Sequence, residues 1–405
     1  MRVAPFWFDT FPKSRRPGYP KYRGATETDV VIVGGGLTGC ACAASFAAAG
    51  VKVALLEADR IGAGATAGSA GMLRHGFDAS FQESAARHGL RAARHLWQSF
   101  RRAALDFAAA LRRLEIRCDL APQDLLHFTR NGNDAARRLK REYQARRDAG
   151  LDVSWSPGTA VKRDAAAIAD GAIRMRGEVI DPYRACVGLA AAAASRRAAI
   201  FEKSEVRRVR AGRKRVEVKT AAGTIAAQAV VIASGAPIDD LRALRRHLAP
   251  VQDYAVATQP MPAAVRREVG SRKAAMTDTA RPPHLLRWLK DDRLLFCGAA
   301  QRPVASRALE RTVGQRGNEL MYELTTIYPA ISGLQPECAW ATVHHETPDD
   351  LPLVGLHRNF PRHLFALGDG RHGAAFAWLA ARLLLRQFQG DPARGDELFG
   401  FARIL

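Results

Sequence analysis

Three glycines, one acid and a late arginine–histidine pair are the residues whose spacing points to chemistry. In "DVVIVGGGLTGCACA", Gly34, Gly36 and Gly39 stand in G-x-G-x-x-G spacing, with Leu37 and Thr38 between the last two. Gly34 permits a tight turn off a strand, Gly36 lets the backbone approach a pyrophosphate, and Gly39 lets helix pack closely on strand. A helix opening there offers free N–H groups and partial positive charge to phosphates. Glu57 follows about twenty residues after the motif, where a carboxylate meets ribose hydroxyls. An ordinary buried strand and turn is the alternative for the glycines alone; the second strand ending in Glu57 favours a dinucleotide.

Two further glycine clusters lie downstream. "VVIASG" contains Ser234 and Gly235, and "GDGRHG" contains Gly368, Gly370, Arg371, His372 and Gly373. The small-residue loop "IGAGATAGSAGML" directly follows Glu57 and is unusual for a plain NAD site. Glycine clusters at both ends and in the middle of the chain suit a long ligand such as FAD. A helix opening near Gly373, with Arg371 beside it, would stabilise the negative charge of a reduced flavin. Arg371 has a second job open to it, holding an acidic group on a substrate; the flavin role is the one expected. Arg287, in "HLLRW", is another candidate for a substrate carboxylate. His344, His345, His284 and His372 are the histidines placed to receive an amine proton, since imidazole titrates near neutrality. No spaced third ligand accompanies His344 and His345, so no metal site is expected.

The elements that must position these residues begin with a βαβ unit, "DVVIVGG", a helix to Gly50, and "VKVALLEA". Long helices are expected from about Gln82 to Arg113 and from Asp134 to Arg147, with "DLLHFTR" between them as a strand. Asp181 and Pro182 read as a helix entry. After Gly235 helices are expected, then strands in "HLLRWLKDDRLLFCGA". No low-complexity linker separates the pieces. The expected organisation is an N-terminal arm over 1–24, a discontinuous FAD-binding unit over 25–90, 155–240 and 338–405, and a substrate unit over 91–154 and 241–337. The arm's Pro and aromatic residues are expected to pack on a neighbouring surface.

The bulk numbers set limits. The chain has 405 residues and 47% hydrophobic content, enough for a large core. No apolar run approaches the roughly 20 residues that cross a bilayer. Six scattered cysteines without a C-x-x-C pair argue against a zinc site or a disulfide framework and place the protein in a reducing cytoplasm. The net charge of +21 reads first as arginine on solvated helix faces; attraction to nucleic acid is the alternative.

The motifs together carry a resemblance. "VVIVGGGLTG…VKVALLEADRIGAGATAGSAGML", "WATVHHETPDDLPLVG" and "HLFALGDGRHG" resemble the D-amino-acid oxidase superfamily, in its glycine oxidase, sarcosine oxidase and γ-glutamylputrescine oxidoreductase group. The arm "FWFDTFPKSRRPGYP" resembles that of the putrescine-type members. The resemblance covers nearly the whole chain. It implies an α/β protein, α+β overall, with a Rossmann-type, glutathione-reductase-like FAD domain. An inserted substrate domain would be built on an antiparallel sheet plus helices. It implies oxidation of a C–N bond of a small amine or amino acid, with electrons passed to oxygen or another acceptor. Carried over by position, Glu57 and Ala58 meet the adenosine ribose; Arg60, Ala65, Thr66, Gly71 and Met72 belong to the cofactor loop. Val206 meets adenine, Ser234 and Gly235 line the dinucleotide, and Gly368 to Gly373 lie near the flavin ring.

The sequence also departs from that family. His344 stands where amino-acid-oxidising relatives often hold the substrate carboxylate with an arginine. Phe296 stands where sarcosine oxidases place an oxygen-activating lysine. Thr342 stands where they tether FAD to a cysteine, with Cys338 nearby, so FAD is expected to be noncovalent. An RNA-acting flavoprotein oxidising an aminomethyl group on a modified base, and a flavin-binding protein with decayed catalysis, are the alternative functions.

Overall fold

The computed structural model describes residues 1–269, 271 and 273–404. Its centre is the strand Gly24–Val33, whose second half, "DVVIV", is apolar on both faces as a strand covered on both sides must be. Val30, Val31 and Ile32 are fully buried. Val53–Leu56 pairs parallel on one side of it and Gly223–Gly235 on the other. Ala199–Phe201 extends the sheet past Val53–Leu56, and Phe360–Leu367 runs parallel to the end of Gly223–Gly235.

The helices Leu37–Ala48, Pro182–Ser195 and Gly373–Gln389 pack together on one face of this sheet. The antiparallel strands Val206–Ala211 and Val216–Thr220 contribute to the core on its other face. The Asp181 carboxylate caps its helix by accepting from the Arg184 amide at 2.9 Å, which is the entry expected at Asp181–Pro182.

A second, nine-stranded sheet is mainly antiparallel, with parallel pairings at Arg2–Val3 with Pro336–Glu346 and at Asp124–Thr129 with Ala274–Asp278. Its membership differs from the expected division of the chain. Ser154–Pro157 and Gly171–Met175 belong to it, although 155–240 was assigned to the FAD-binding unit. Pro336–Glu346 is also one of its strands, paired along its length with Ala249–Thr258. Conversely, the helix Leu90–Arg113 shares the core of the nucleotide side: Phe107 stacks on Trp378 with centroids 5.6 Å apart.

Two local expectations are corrected. The helix expected from Gln82 to Arg113 is two helices, Phe81–His88 and Leu90–Arg113. Gly89 at φ +83° breaks the run, a backbone state that only glycine adopts cheaply. The helical character expected after Gly235 is a 3-10 segment, Asp239–His247, and a short helix, Ala263–Val269, with the strand Ala249–Thr258 between them. The arm is ordered, with Phe6 and Trp7 buried and Phe8 edge-on to Tyr183. All six cysteines are buried free thiols. Among the described residues, no helix is long and apolar enough to cross a membrane.

Candidate active site

The first strand–helix turn shows why its glycines are there. Gly34 sits at φ +107°, and a Cβ on it would lie 2.5 Å from the Ala233 carbonyl oxygen. A Cβ on Gly39 would lie 1.9 Å from the Gly34 oxygen, so helix Leu37–Ala48 can approach its strand only through glycine. Gly36 is different: a Cβ there would meet only Thr66 Oγ1, at 3.4 Å, and the residue lines a cavity of about 700 Å³. The helix begins without a side-chain cap. Thr66 Oγ1 accepts the Leu37 amide at 2.9 Å, while the Thr38 and Gly39 amides have no acceptor among the described residues. An uncapped helix N-terminus on a cavity wall suits a pyrophosphate.

The cavity runs from this turn in two directions. At one end it is lined by Glu57, Ala58 and Val206, and along its length by Ala65, Ser234 and Gly235. The Glu57 carboxylate accepts the Gly35 and Asp59 amides at 2.6 and 2.7 Å. Each oxygen keeps further acceptor capacity for a hydroxyl. Burial raises the Glu57 pKa, against those two amides, which lower it. At the other end the walls are Thr342, His344, Asp253, Cys297, Gly370, Arg371 and Gly373. The helix Gly373–Gln389 starts there, also without a side-chain cap.

The floor of this end is one face of the nine-stranded sheet. Thr342, His344 and Glu346 alternate along one strand, and Asp253 lies opposite Thr342 on its neighbour. Above them sits Arg371. Its Nε and Nη2 donate to Asp253 at 2.7 and 2.9 Å, and its Nη1 donates to Glu346 at 2.7 Å and to Asp78 at 3.4 Å. Burial opposes the charge on Arg371, but Asp253, with Asp78 and Glu346, raises its pKa above the ordinary value. Glu346 is held low, first by its hydrogen bond from His344 and then by Arg371. His344 Nε2 lies 3.2 Å from Glu346, and its Nδ1 is 3.5 Å from Asp253.

A second cavity, about 800 Å³, shares Arg371 with the first. Met72, His75, Asp78 and Glu346 line it, so Met72 faces this space and not the long cavity. Burial pushes the His75 pKa down to about 4.

Eight of the expected residues line neither cavity: Gly39, Arg60, Gly71, Gly368, Arg287, His284, His345 and His372. Gly39, Gly71 and Gly368 are backbone requirements; the last two sit at φ +68°. Arg60 is exposed. Arg287, expected as a candidate for a substrate carboxylate, is buried among main-chain carbonyls. Its Nη1 donates to the carbonyls of Ala70, Gly71 and Ile180 at 2.9, 2.9 and 2.7 Å, under the Trp7 ring. Burial lowers its pKa to about 10. It holds the cofactor loop from behind. His372 is likewise turned away, packed edge-on against Phe77 and Phe100 with Nε2 3.3 Å from Asp350. His284 is held between Asp278 and Glu323 at 2.7 and 2.9 Å, outside both cavities. Asp78, Asp350 and His372 bring ligand atoms within 4.8 Å of one another, but Arg74 and Arg371 already supply the cationic charge at Asp78.

Sequence reasoning missed the acids around Arg371 and the indoles behind the loop. Trp7 Nε1 donates to the Ser69 carbonyl at 2.8 Å, and Trp340 Nε1 to the Gly68 carbonyl at 3.1 Å. One signal was available: Asp253 interrupts the otherwise buried strand "VQDYAVAT", and a carboxylate in such a run needs a partner.

Comparison with known proteins bears on this geometry. The model of the family described as FAD dependent oxidoreductase (DAO) matches residues 29–387. The chain is similar to γ-glutamylputrescine oxidoreductase of Escherichia coli K12, 25% identical, covering 91% of this chain and 85% of the relative. It is also similar to glycine oxidase of Geobacillus kaustophilus, 29% identical, covering 88% of this chain and 91% of the relative. The crystal structure of glycine oxidase from Geobacillus kaustophilus superposes with a TM-score of 0.77 over 93% of this chain and 99% of that one, at 24% identity.

Proposed function

The chain belongs to the DAO family of FAD-dependent oxidoreductases, and from that premise we propose that it oxidises a C–N bond of a small amine or amino acid to the imine. The observation that carries the reading is the junction at Arg371. There a long cavity with a glycine-lined turn and an uncapped helix shares Arg371 as a wall with a second cavity of substrate size. The glycine oxidase and γ-glutamylputrescine oxidoreductase relatives act on such nitrogen compounds, as their names say.

The residues present fit FAD. Glu57 would hold the adenosine ribose, Gly36 and Thr38 the pyrophosphate, and Gly370, Gly373 and Thr342 the ring end. When bound, FAD supplies the two-electron acceptor for the hydride that leaves the carbon beside nitrogen. The protein's own task is to position the amine and to take its proton, because only the neutral amine has the lone pair that drives hydride loss. His344, at the cavity floor between two carboxylates, is the base we assign. Cys297 is the thiol on the cavity wall, and burial raises its pKa far above the ordinary value, so it stays neutral there. Noncovalent FAD is therefore part of the reading, as is a reducing compartment for a chain of buried free thiols.

The test is anaerobic bleaching of the purified yellow protein by a panel of amines and amino acids. Reduction by at least one of them is expected, and acid precipitation should release all of the flavin. A flavin that dithionite reduces but no nitrogen compound does would reject the reading in favour of decayed catalysis.

A further inference from the structure

The second cavity carries a charge pattern that narrows the substrate, granting that it is the substrate cavity. Arginines line it, yet those near the cofactor end are already engaged. Arg371 is held by Asp253, Glu346 and Asp78, and Arg74 Nη1 lies 2.6 Å from Asp78. Arg146 is paired with Glu142 at 2.7 Å. The arginines of this cavity that have no carboxylate partner among the described residues are Arg87, Arg138 and Arg141, all exposed and hence at its mouth. A carboxylate entering to the depth of Arg371 would find no free guanidinium. It would find instead the carboxylates of Asp78, Glu346 and Asp350, which line the cavity there against the two guanidiniums of Arg74 and Arg371.

An independent observation points the same way. His75 lines this cavity, is 6% exposed, and its Nε2 has no partner. In one tautomer of neutral imidazole the unpartnered nitrogen is an acceptor, open to a donor that comes with the ligand. Glu346 adds a second acceptor: only one of its oxygens is engaged, by Arg371 and His344, and its side chain keeps 33% exposure.

We propose that this cavity recognises its substrate by an ammonium group, through Glu346, Asp78 and His75, and that Arg371 anchors those carboxylates and does not clamp a substrate carboxylate. The substrate class is then an amine whose nitrogen-bearing carbon carries no carboxylate. Simple α-amino acids are poor ligands because the guanidiniums at that depth are already paired and their carboxylate would face Asp78, Glu346 and Asp350.

The experiment uses two probes of one shape and opposite charge, tert-butylammonium and trimethylacetate. The first has no hydrogen on its nitrogen-bearing carbon and the second has no nitrogen, so neither can be oxidised there. Calorimetric titration of the purified holoenzyme should show tert-butylammonium binding at least tenfold more tightly. Glu346→Gln should weaken that binding about tenfold, the loss of one charge-assisted hydrogen bond. Asp78→Asn provides a second variant, and circular dichroism establishes that each is folded. Trimethylacetate binding as tightly or more tightly, or an ammonium affinity unchanged in folded Glu346→Gln and Asp78→Asn, would overturn the proposal. Heat of binding is read without turnover, so a protein that prefers the ammonium yet oxidises no amine would refute the proposed function and leave this charge preference standing.

Discussion

At the Gly36 end of the long cavity the wall is main chain; at the Arg371 end it is side-chain charge. The first end uses amides, a helix terminus and glycines that no side chain could replace without meeting Ala233 or Gly34 backbone atoms. Glu57, which lines it, is oriented by the main-chain amides of Gly35 and Asp59. The second end gathers Asp78, Asp253, Glu346 and Arg371 from four separate stretches of chain, and each of those acids accepts from the same guanidinium. A main-chain wall fits a ligand whose phosphates and sugars are always the same. A wall of charged side chains changes its preference with single substitutions, while the sheet beneath it stays fixed.

Arg371→Met should have the largest effect, because it leaves three carboxylates facing one another at a buried position. Breaking a buried ion pair from one side costs about 3–5 kcal/mol. Denaturant unfolding of the holoprotein should show a loss of that order. Adding Asp253→Asn to Arg371→Met should restore part of it, by removing the acid that is bound by two hydrogen bonds. An unfolding midpoint unchanged by Arg371→Met would mean that the cluster is solvated and that the contrast between the two ends is false. The flavin role expected of Arg371 has its own readout, the reduction potential. With its charge already balanced by neighbouring acids, a small shift is expected.

Glu57→Ala comes next, at the other end. The expected loss is about 1.5–3 kcal/mol of FAD affinity, for a charge-assisted contact to a diol. Stability of the apoprotein should change little, since Glu57 is only partly buried. Titration of apoprotein with FAD checks the first expectation and thermal melting the second. Equal affinities for wild type and variant would remove Glu57 from the ribose site.

That asymmetry also explains what could be read in the sequence. The nucleotide end is local: strand, turn, helix and acid follow one another within one βαβ unit, so spacing alone places Gly34, Gly36, Gly39 and Glu57. Thr66 Oγ1, which accepts the Leu37 amide, entered only through the resemblance. The charged end depends on which strands pair. That Asp253 lies opposite Thr342 follows from a register between segments nearly ninety positions apart, which no local pattern encodes. Arg287 and His372 were singled out because their residue types do chemistry, yet folding turns one towards three carbonyls and the other into an aromatic pocket. Sheet membership is hidden for the same reason, since Gly171–Met175 joins the nine-stranded sheet by long-range pairing.

Trp7→Phe probes the support behind the cofactor loop and should have a smaller effect. It keeps the ring beneath Arg287 but loses the indole donor to the Ser69 carbonyl. One neutral hydrogen bond contributes about 0.5–1.5 kcal/mol. The expected signature is a modest drop in thermal stability, with faster FAD release than in the wild type. FAD release slower than in wild type would show that the arm strains the loop.

The smallest effect is one of pH, and it belongs to the second cavity alone. Burial, with the charge of Arg101 adding to it, lowers the His75 pKa from 6.5 to about 4. The folded state therefore binds a proton less readily than the unfolded chain. The stability that neutral His75 contributes is complete above the unfolded pKa and is lost as pH falls from about 6.5 towards 4. At pH 6 that loss amounts to about 0.8 kcal/mol from this residue. His75→Gln cannot titrate, so whatever it costs at neutral pH, its stability should decline less steeply than wild type between pH 7 and pH 5. The main-chain amides near Gly36 do not titrate in that range, so FAD affinity measured at pH 7 should be the same for wild type and His75→Gln. Denaturant midpoints measured across the range decide the matter. Parallel pH profiles for wild type and variant would mean that His75 is hydrated in solution. The second cavity would then lose the acceptor that distinguishes it from the long one.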